Sequence, residues 1–279
     1  MEVIFANGKL VNAEAKSSLC INLDDRALQY GDGVFETLRI AKGAIPIWKY
    51  HQQRLKKSQN ILGLPLDEFL SDWERFCANH LTHIDNACAK LIISRGEGPR
   101  GYKIPQNPQL NWWLKITDLP VRSEKETFKL TLCQHTLSRQ PALAGLKHLN
   151  RLDQVIARSE WGGQDDYDEG IMFNLDGDVV EGTMSNVFWL IGDQLHTPDL
   201  SQEGVDGCVR RWLIDKHDDG NPVSIEKSTK LDQLLMADAV FVTNSLIGIQ
   251  KVTDIDGHKI SQHSLVDQLA ADFSQQFIL

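Results

Sequence analysis

The order in which strand and helix patterns follow one another is the feature of this chain that most restricts its fold. A doubly wound parallel sheet needs strict strand-helix-strand alternation, because each parallel connection must cross back over the sheet. Here the order is irregular. Residues 3–5 and 9–11 read as strands around Asn7-Gly8, the pair that supplies the positive φ of a tight hairpin turn. A polar, glycine-bearing loop, DDRALQYGDGVFETLRI, ends in an alternating strand that meets a second glycine turn at Gly43. His51, Leu55, Ser58 and Leu62 recur at steps of three and four, which predicts a helix over Trp48–Leu62, stopped by Gly63 and Pro65. Phe69, Leu70, Trp73, Phe76 and Cys77 fall on one side of a further helix, Asp67–His80. Strands over residues 90–94 and 112–117, separated by a Gly/Pro-rich loop, complete an α+β domain.

The polar, proline-bearing stretch LPVRSEKE, residues 119–126, reads as a linker and puts the division near residue 120. A chain of 279 residues is long enough for a smaller N-terminal domain, 1–120, and a larger β-rich one, 121–279, each with its own core. In the second, a strand over 128–132 precedes a helix over 146–161. Hairpin turns follow at Asp176-Gly177 and Gly192-Asp193, with helices over 209–216 and 265–277 and strands over 239–243 and 249–252.

Bulk properties exclude several classes of function. No uncharged apolar run is long enough to span a bilayer, so no membrane association is expected. The N-terminus lacks a basic region followed by an apolar core and cleavage site, which predicts a cytoplasmic protein. Five scattered cysteines with no C-x-x-C pair predict a reducing compartment and no structural metal. A net charge of −9, with basic residues interleaved among acids, would repel nucleic acid, whereas a small anion needs only a local basic pocket.

Several residues could carry chemistry. Lys147 follows the loop RQPALAG at the start of an apolar, helix-patterned stretch. A lysine there commonly just covers a helix end, whereas a buried lysine, its pKa lowered by desolvation, is a nucleophile at neutral pH. Glu181, in DGDVVEGTMSNVFWL, is either a strand-edge residue or a buried acid that requires a cationic or N–H partner. Gly204 and Gly207 precede a helix beginning near Cys208, an ordinary turn or a phosphate-binding helix start. Arg54 is a solvated helix arginine or a fork for phosphate oxygens. SRGEGPRGY carries two arginines in a glycine-rich loop and could grip carboxylates. Asn244 and Ser245, after a strand, could bind an anion. Each signal is weak alone.

Taken in order, YGDGVFETLR, HxxRL, SRGxGxRGY, GLKHLNR, EGTMSNVFW, GVDGCVRR and TNSL, spread from about residue 3 to residue 252, make the chain resemble the fold-type-IV pyridoxal-phosphate (PLP) enzymes. That family includes branched-chain and D-amino-acid aminotransferases and aminodeoxychorismate lyases. The resemblance implies a two-domain α+β fold with PLP at the domain interface. By it, Lys147 matches the Schiff-base lysine, Glu181 the acid facing the pyridine nitrogen, and Arg54 the phosphate arginine. The amides of Cys208 and Val209 and the Asn244-Ser245 turn would complete the phosphate cup, and Val205 would pack on the cofactor ring. KHLNR and RGEGPRGY look like the lyases: D-amino-acid aminotransferases have a histidine where Tyr102 stands and an aliphatic residue at Arg151. Arg100 occurs in both groups, and Glu36 is shared with the aminotransferases.

The implied function is elimination of pyruvate from aminodeoxychorismate to give 4-aminobenzoate, with Lys147 as general base. Arg100, Tyr102, Arg151 and Phe35 would line the substrate, and Thr37 and Tyr102 would be hydroxyl donors near the leaving group. A homodimer is implied by resemblance. The alternatives are a PLP aminotransferase of D- or branched-chain amino acids and a non-catalytic binding dimer.

Overall fold

The computed structural model describes residues 2–11, 20–120, 126–162, 167–217 and 220–277. The chain is α+β and forms two units, Met1–Val121 with Leu146–Asn150, and Arg122–Gly145 with Arg151–Leu279. Residues 121–125 of the expected linker lie outside the described residues. Among the described residues no helix is long and apolar enough to cross a membrane.

In the first unit, β1 (Glu2–Ala6) and β2 (Lys9–Leu10) form a hairpin with Asn7 and Gly8 at φ 47° and 79°. A short helix, α1 (Arg26–Tyr30), stands in what reads as loop; Asp25 accepts from the Ala27 N–H at its start, and Gly31 ends it at φ 65°. Then come β3 (Gly33–Ala41), α2 (Trp48–Leu62), α3 (Asp67–His80), β4 (Asn86–Ser94) and β5 (Asn111–Thr117), both long helices occupying the residues their periodicity predicts. The strands described here form one five-stranded sheet, β2-β1-β5-β4-β3. Val34, Leu38 and Ile40 of β3 join Leu91 of β4, Leu114 of β5, Leu55 of α2 and Trp73 of α3 in a single core. Burying a side chain like Leu55 contributes about 1.5–3 kcal/mol. Strand alternation therefore leaves Phe35, Thr37 and Arg39 on the face of β3 turned away from that core.

The segment Leu146–Asn150 corrects two expectations. It is extended rather than helical, and it belongs to the first unit although Lys147 was expected in the second domain. The reason is backbone pairing with the start of β3: Phe35 N–H donates to Lys147 O at 2.9 Å, Leu149 N–H donates to Gly33 O at 3.1 Å, and His148 bridges Val34 antiparallel. Helix begins only at Leu152.

The second unit runs β6 (Thr127–Leu137), α4 (Leu152–Ser159), β7 (Glu169–Asn174), β8 (Val179–Gly182), β9 (Asn186–Ile191), β10 (Gln194–Pro198), α5 (Cys208–Lys216), β11 (Ser224–Glu226), α6 (Leu231–Leu235), β12 (Ala239–Asn244), β13 (Gly248–Ile255), β14 (His258–Lys259) and α7 (Ser264–Gln275). Its described strands form one sheet in the order β11-β10-β9-β12-β13-β6-β7-β8, with β14 on β13. β9 and β12 are apolar on both faces, as strands covered on both sides must be. In a flat sheet the five steps from β8 to β9 would span about 24 Å. Only Thr183, Met184 and Ser185 connect them, reaching at most about 15 Å. The sheet is therefore curled.

Candidate active site

In the first unit, the extended backbone of the 146–150 segment sets Lys147 beside the outward face of β3, with Nζ 4.5 Å from the Phe35 ring centroid. Lys90, on β4, approaches the same ring at 5.1 Å, so two cations share one aromatic ring. Thr37 lies two residues along β3 on that face and pairs in register with Lys90.

Glu36 points the other way, into the core, and is 1% exposed. Its Oε1 accepts from Arg54 Nε at 2.8 Å and its Oε2 from Arg54 Nη2, and His51 Nδ1 lies 2.7 Å from the same Oε2. Burial alone would raise its pKa, but the charge and hydrogen bonds of Arg54, then those of His51, hold it at about 2. Arg54 is thus oriented by a two-point carboxylate grip on one edge of its guanidinium.

The arginines of SRGEGPRGY separate. Arg95, one of the two arginines that could grip a carboxylate ligand, is spent inside the fold. It is 2% exposed, donates to both Asp32 oxygens at 2.7 and 3.0 Å, and caps the end of α2 through the carbonyls of Gly63 and Leu62 at 2.9 and 2.7 Å. Burial works against the Asp32 anion, yet hydrogen bonds and charges from Arg95 and Arg26 hold its carboxyl below the usual range. Arg26 also supports the loop from beneath, donating to the carbonyls of Gly101 and Tyr102. Arg100 is exposed, and Tyr102, 84% exposed, sets its ring edge-on to Tyr30 at 5.2 Å.

In the second unit, Glu181 on β8 is 3% exposed and accepts the Val205 N–H at 2.8 Å. Asn186, at the start of β9, donates to the Val205 carbonyl at 2.8 Å. One peptide unit on either side of Val205 is therefore gripped. The chain then enters α5 at Gly207, where no side chain caps the helix and no acid occupies the first turn. A Cβ at Gly207 would stand 2.0 Å from Asn186 Oδ1, so glycine is required for that approach. Cys208 and Val209 form the buried first turn of α5. Asn244 spends its side chain on its own turn, accepting from Leu246 and Ile247 N–H at 2.9 Å and donating to Met184 O at 3.2 Å. Ser245 sits half-buried in the same turn. Arg151, half-buried, occupies the N-cap position of α4.

The profile of the family described as Amino-transferase class IV matches residues 33–255. The chain belongs to that family. Among class IV relatives, a Vibrio harveyi protein named aminodeoxychorismate lyase is 32% identical over 84% of this chain and 87% of its own length. A Bacillus licheniformis D-alanine aminotransferase is 28% identical, covering 93% and 90%. The crystal structure of 4-amino-4-deoxychorismate lyase from Pseudomonas aeruginosa superposes with a TM-score of 0.89 at 33% identity, over 98% of both chains.

Within this class IV chain, sequence reasoning passed over His51 and Asn186 and saw Glu36 only as a motif letter. A signal existed for Glu36 and His51. Glu36 falls at a core-facing register between Val34 and Leu38, and HxxR puts His51 and Arg54 on one helix face. Asn186 is the polar end of an otherwise apolar strand.

Proposed function

We propose that this chain is a PLP-dependent 4-amino-4-deoxychorismate lyase, cleaving a carbon–oxygen bond to give 4-aminobenzoate and pyruvate for folate synthesis. The observation that carries the reading is the likeness to the Pseudomonas aeruginosa lyase over 98% of both chains. The donor set fits PLP. An amine lies beside an aromatic ring at Lys147, a carboxylate is buried at Glu181, an arginine is fixed by Glu36, and α5 begins without a side-chain cap. A carboxylate as deep as Glu181 is stable with several N–H partners, and a pyridinium nitrogen adds one to the Val205 amide. Arg54, the amides of Cys208 and Val209, and Ser245 in the turn built by Asn244 would hold the phosphate. Val205 would pack on the ring.

When bound, the cofactor supplies an electron sink conjugated to the amine-bearing carbon of the substrate. Lys147 Nζ removes the proton from that carbon, acting as general base. Glu181 holds the proton on the ring nitrogen throughout. Arg100 and Arg151 bind the two substrate carboxylates, Phe35 packs on the substrate ring, and Thr37 and Tyr102 donate to the departing enolpyruvyl oxygen. Loss of that oxygen leaves an aromatic product, which makes the elimination strongly downhill.

We read the enzyme as a cytoplasmic homodimer. None of the five cysteines is in a disulfide, as suits a reducing compartment, and the exposed Arg100–Tyr102 loop could meet a second subunit. The second reading, a D-amino-acid aminotransferase, is favoured by the D-alanine aminotransferase relative. Purified protein is offered aminodeoxychorismate and, separately, D-alanine with 2-oxoglutarate. Aminobenzoate formation is expected to dominate; brisk transamination without aminobenzoate sinks the lyase reading. Lys147→Ala is expected to slow aminobenzoate formation by about 10²–10⁴-fold and to abolish borohydride-trapped cofactor. Normal turnover in that variant refutes the role of Lys147.

A further inference from the structure

Glu169 is a buried acid that the mechanism above leaves unused. It opens β7 at 3% exposure, and its carboxylate faces the turn that links β8 to β9. Oε1 accepts from the Thr183 N–H at 3.1 Å, from the Thr183 hydroxyl, and from the Gly170 N–H at 2.9 Å. Oε2 accepts from the Met184 N–H at 3.1 Å and from the Ser185 hydroxyl at 2.9 Å. Backbone and hydroxyl donors to an ionised carboxylate make charge-assisted bonds, stronger than neutral ones. The fit is close: a Cβ on Gly182 would stand 2.2 Å from Ser185 Oγ and 3.1 Å from Glu169 Cδ.

What this turn holds apart is the point of the arrangement. It is flanked by Gly182, which directly follows Glu181, and by Asn186; Glu181 and Asn186 both grip Val205, one by its N–H and the other by its carbonyl, each at 2.8 Å. A turn free to hinge would let the two jaws drift independently. We propose that Glu169 is a positioning residue for the reaction: it locks the β8–β9 turn so that Glu181 and Asn186 clamp Val205 and set the loop that enters α5. The inference rests on the reading of Glu181, Val205 and the start of α5 as cofactor-holding residues. Glu169 touches neither cofactor nor substrate in this account and acts only through the turn.

Glu169→Gln keeps the side-chain volume but sets an NH₂ donor against N–H donors, so it breaks the lock without emptying the site. PLP retained by the holoenzyme on dialysis gives a dissociation constant. Amide hydrogen exchange over residues 204–208 reports the clamp, and initial rates give kcat and KM. Leu234→Ala, a core residue of α6, serves as the control for lost stability alone. In Glu169→Gln, PLP binding is expected to weaken about ten- to a hundredfold, exchange over 204–208 to speed up, and kcat to fall more than KM changes. Leu234→Ala is expected to unfold at lower temperature while keeping wild-type PLP affinity and protection. Unchanged affinity and protection in Glu169→Gln, or the same losses in Leu234→Ala, overturn the proposal. If the wild-type protein binds no PLP, the cofactor reading fails instead, and exchange over 204–208 alone decides whether Glu169 holds the clamp.

Discussion

Glu36 ties β3 to α2, and its charge is part of the tie. Its carboxyl titrates at about 2 in the folded protein against an ordinary 4.5. A folded pKa below the unfolded one gives stability that is fully present above pH 4.5 and lost as pH falls from there towards 2, about 3 kcal/mol when complete. Glu36→Gln removes the counter-ion of a buried guanidinium and should cost roughly 3–5 kcal/mol at pH 7. It should also flatten the acid limb, so that the gap between variant and wild type narrows by about 2 kcal/mol between pH 7 and pH 3 and closes only towards pH 2. Urea unfolding at pH 7, 5 and 3 checks both; parallel acid limbs in the two proteins would show that this ion pair is not their source. At this scale the sequence displayed the chemical types but not the partnerships. The Glu36–Arg54 grip joins a strand to a helix across an intervening turn; apolar alternation in β3 marks Glu36 as inward, but no local pattern reveals that Arg54 is the residue it meets.

Among the elements, α2 and α3 were legible because apolar residues repeat at helical spacing and Gly63 ends the first at φ 62°. The 146–150 segment was not. GLKHL carries the helical pattern of the residues that follow it, but its conformation is set by pairing with Gly33–Phe35, far away in sequence, and non-local pairing overrides local propensity. Gly33 is where that pairing is most exacting: a Cβ there would stand 2.3 Å from Ile93 O and 2.9 Å from Leu149 Cδ1. Gly33→Ala should therefore pry the edge segment from β3, costing about 1–3 kcal/mol and lowering aminobenzoate turnover together. Denaturant unfolding and the product assay measure the two; wild-type stability with wild-type turnover would mean that the edge yields freely. The five-residue α1 was missed because one turn and a half is too short to show a period.

For the molecule as a whole, it was the order of weak motifs that made the family readable, although none of them decided it alone. Irregular alternation excluded the doubly wound fold, and the curled sheet explains the irregularity, since β6 pairs in parallel with both β7 and β13. Assembly is testable directly. A homodimer should sediment at twice the chain mass of 31.5 kDa at micromolar concentration, and a single-chain mass would remove the second-subunit role of the Arg100–Tyr102 loop.

The pairing of β6 with β13 sets a timetable for synthesis. Thr127 meets Lys251 in register, so the second sheet cannot be completed until nearly all of the chain has left the ribosome. The first sheet is complete by Thr117, well before the strip bearing Lys147 is made. A released fragment ending near residue 130 should already protect the first sheet from proteases. The Lys147 amine is then a late arrival, docked onto the edge of a sheet that can already be standing.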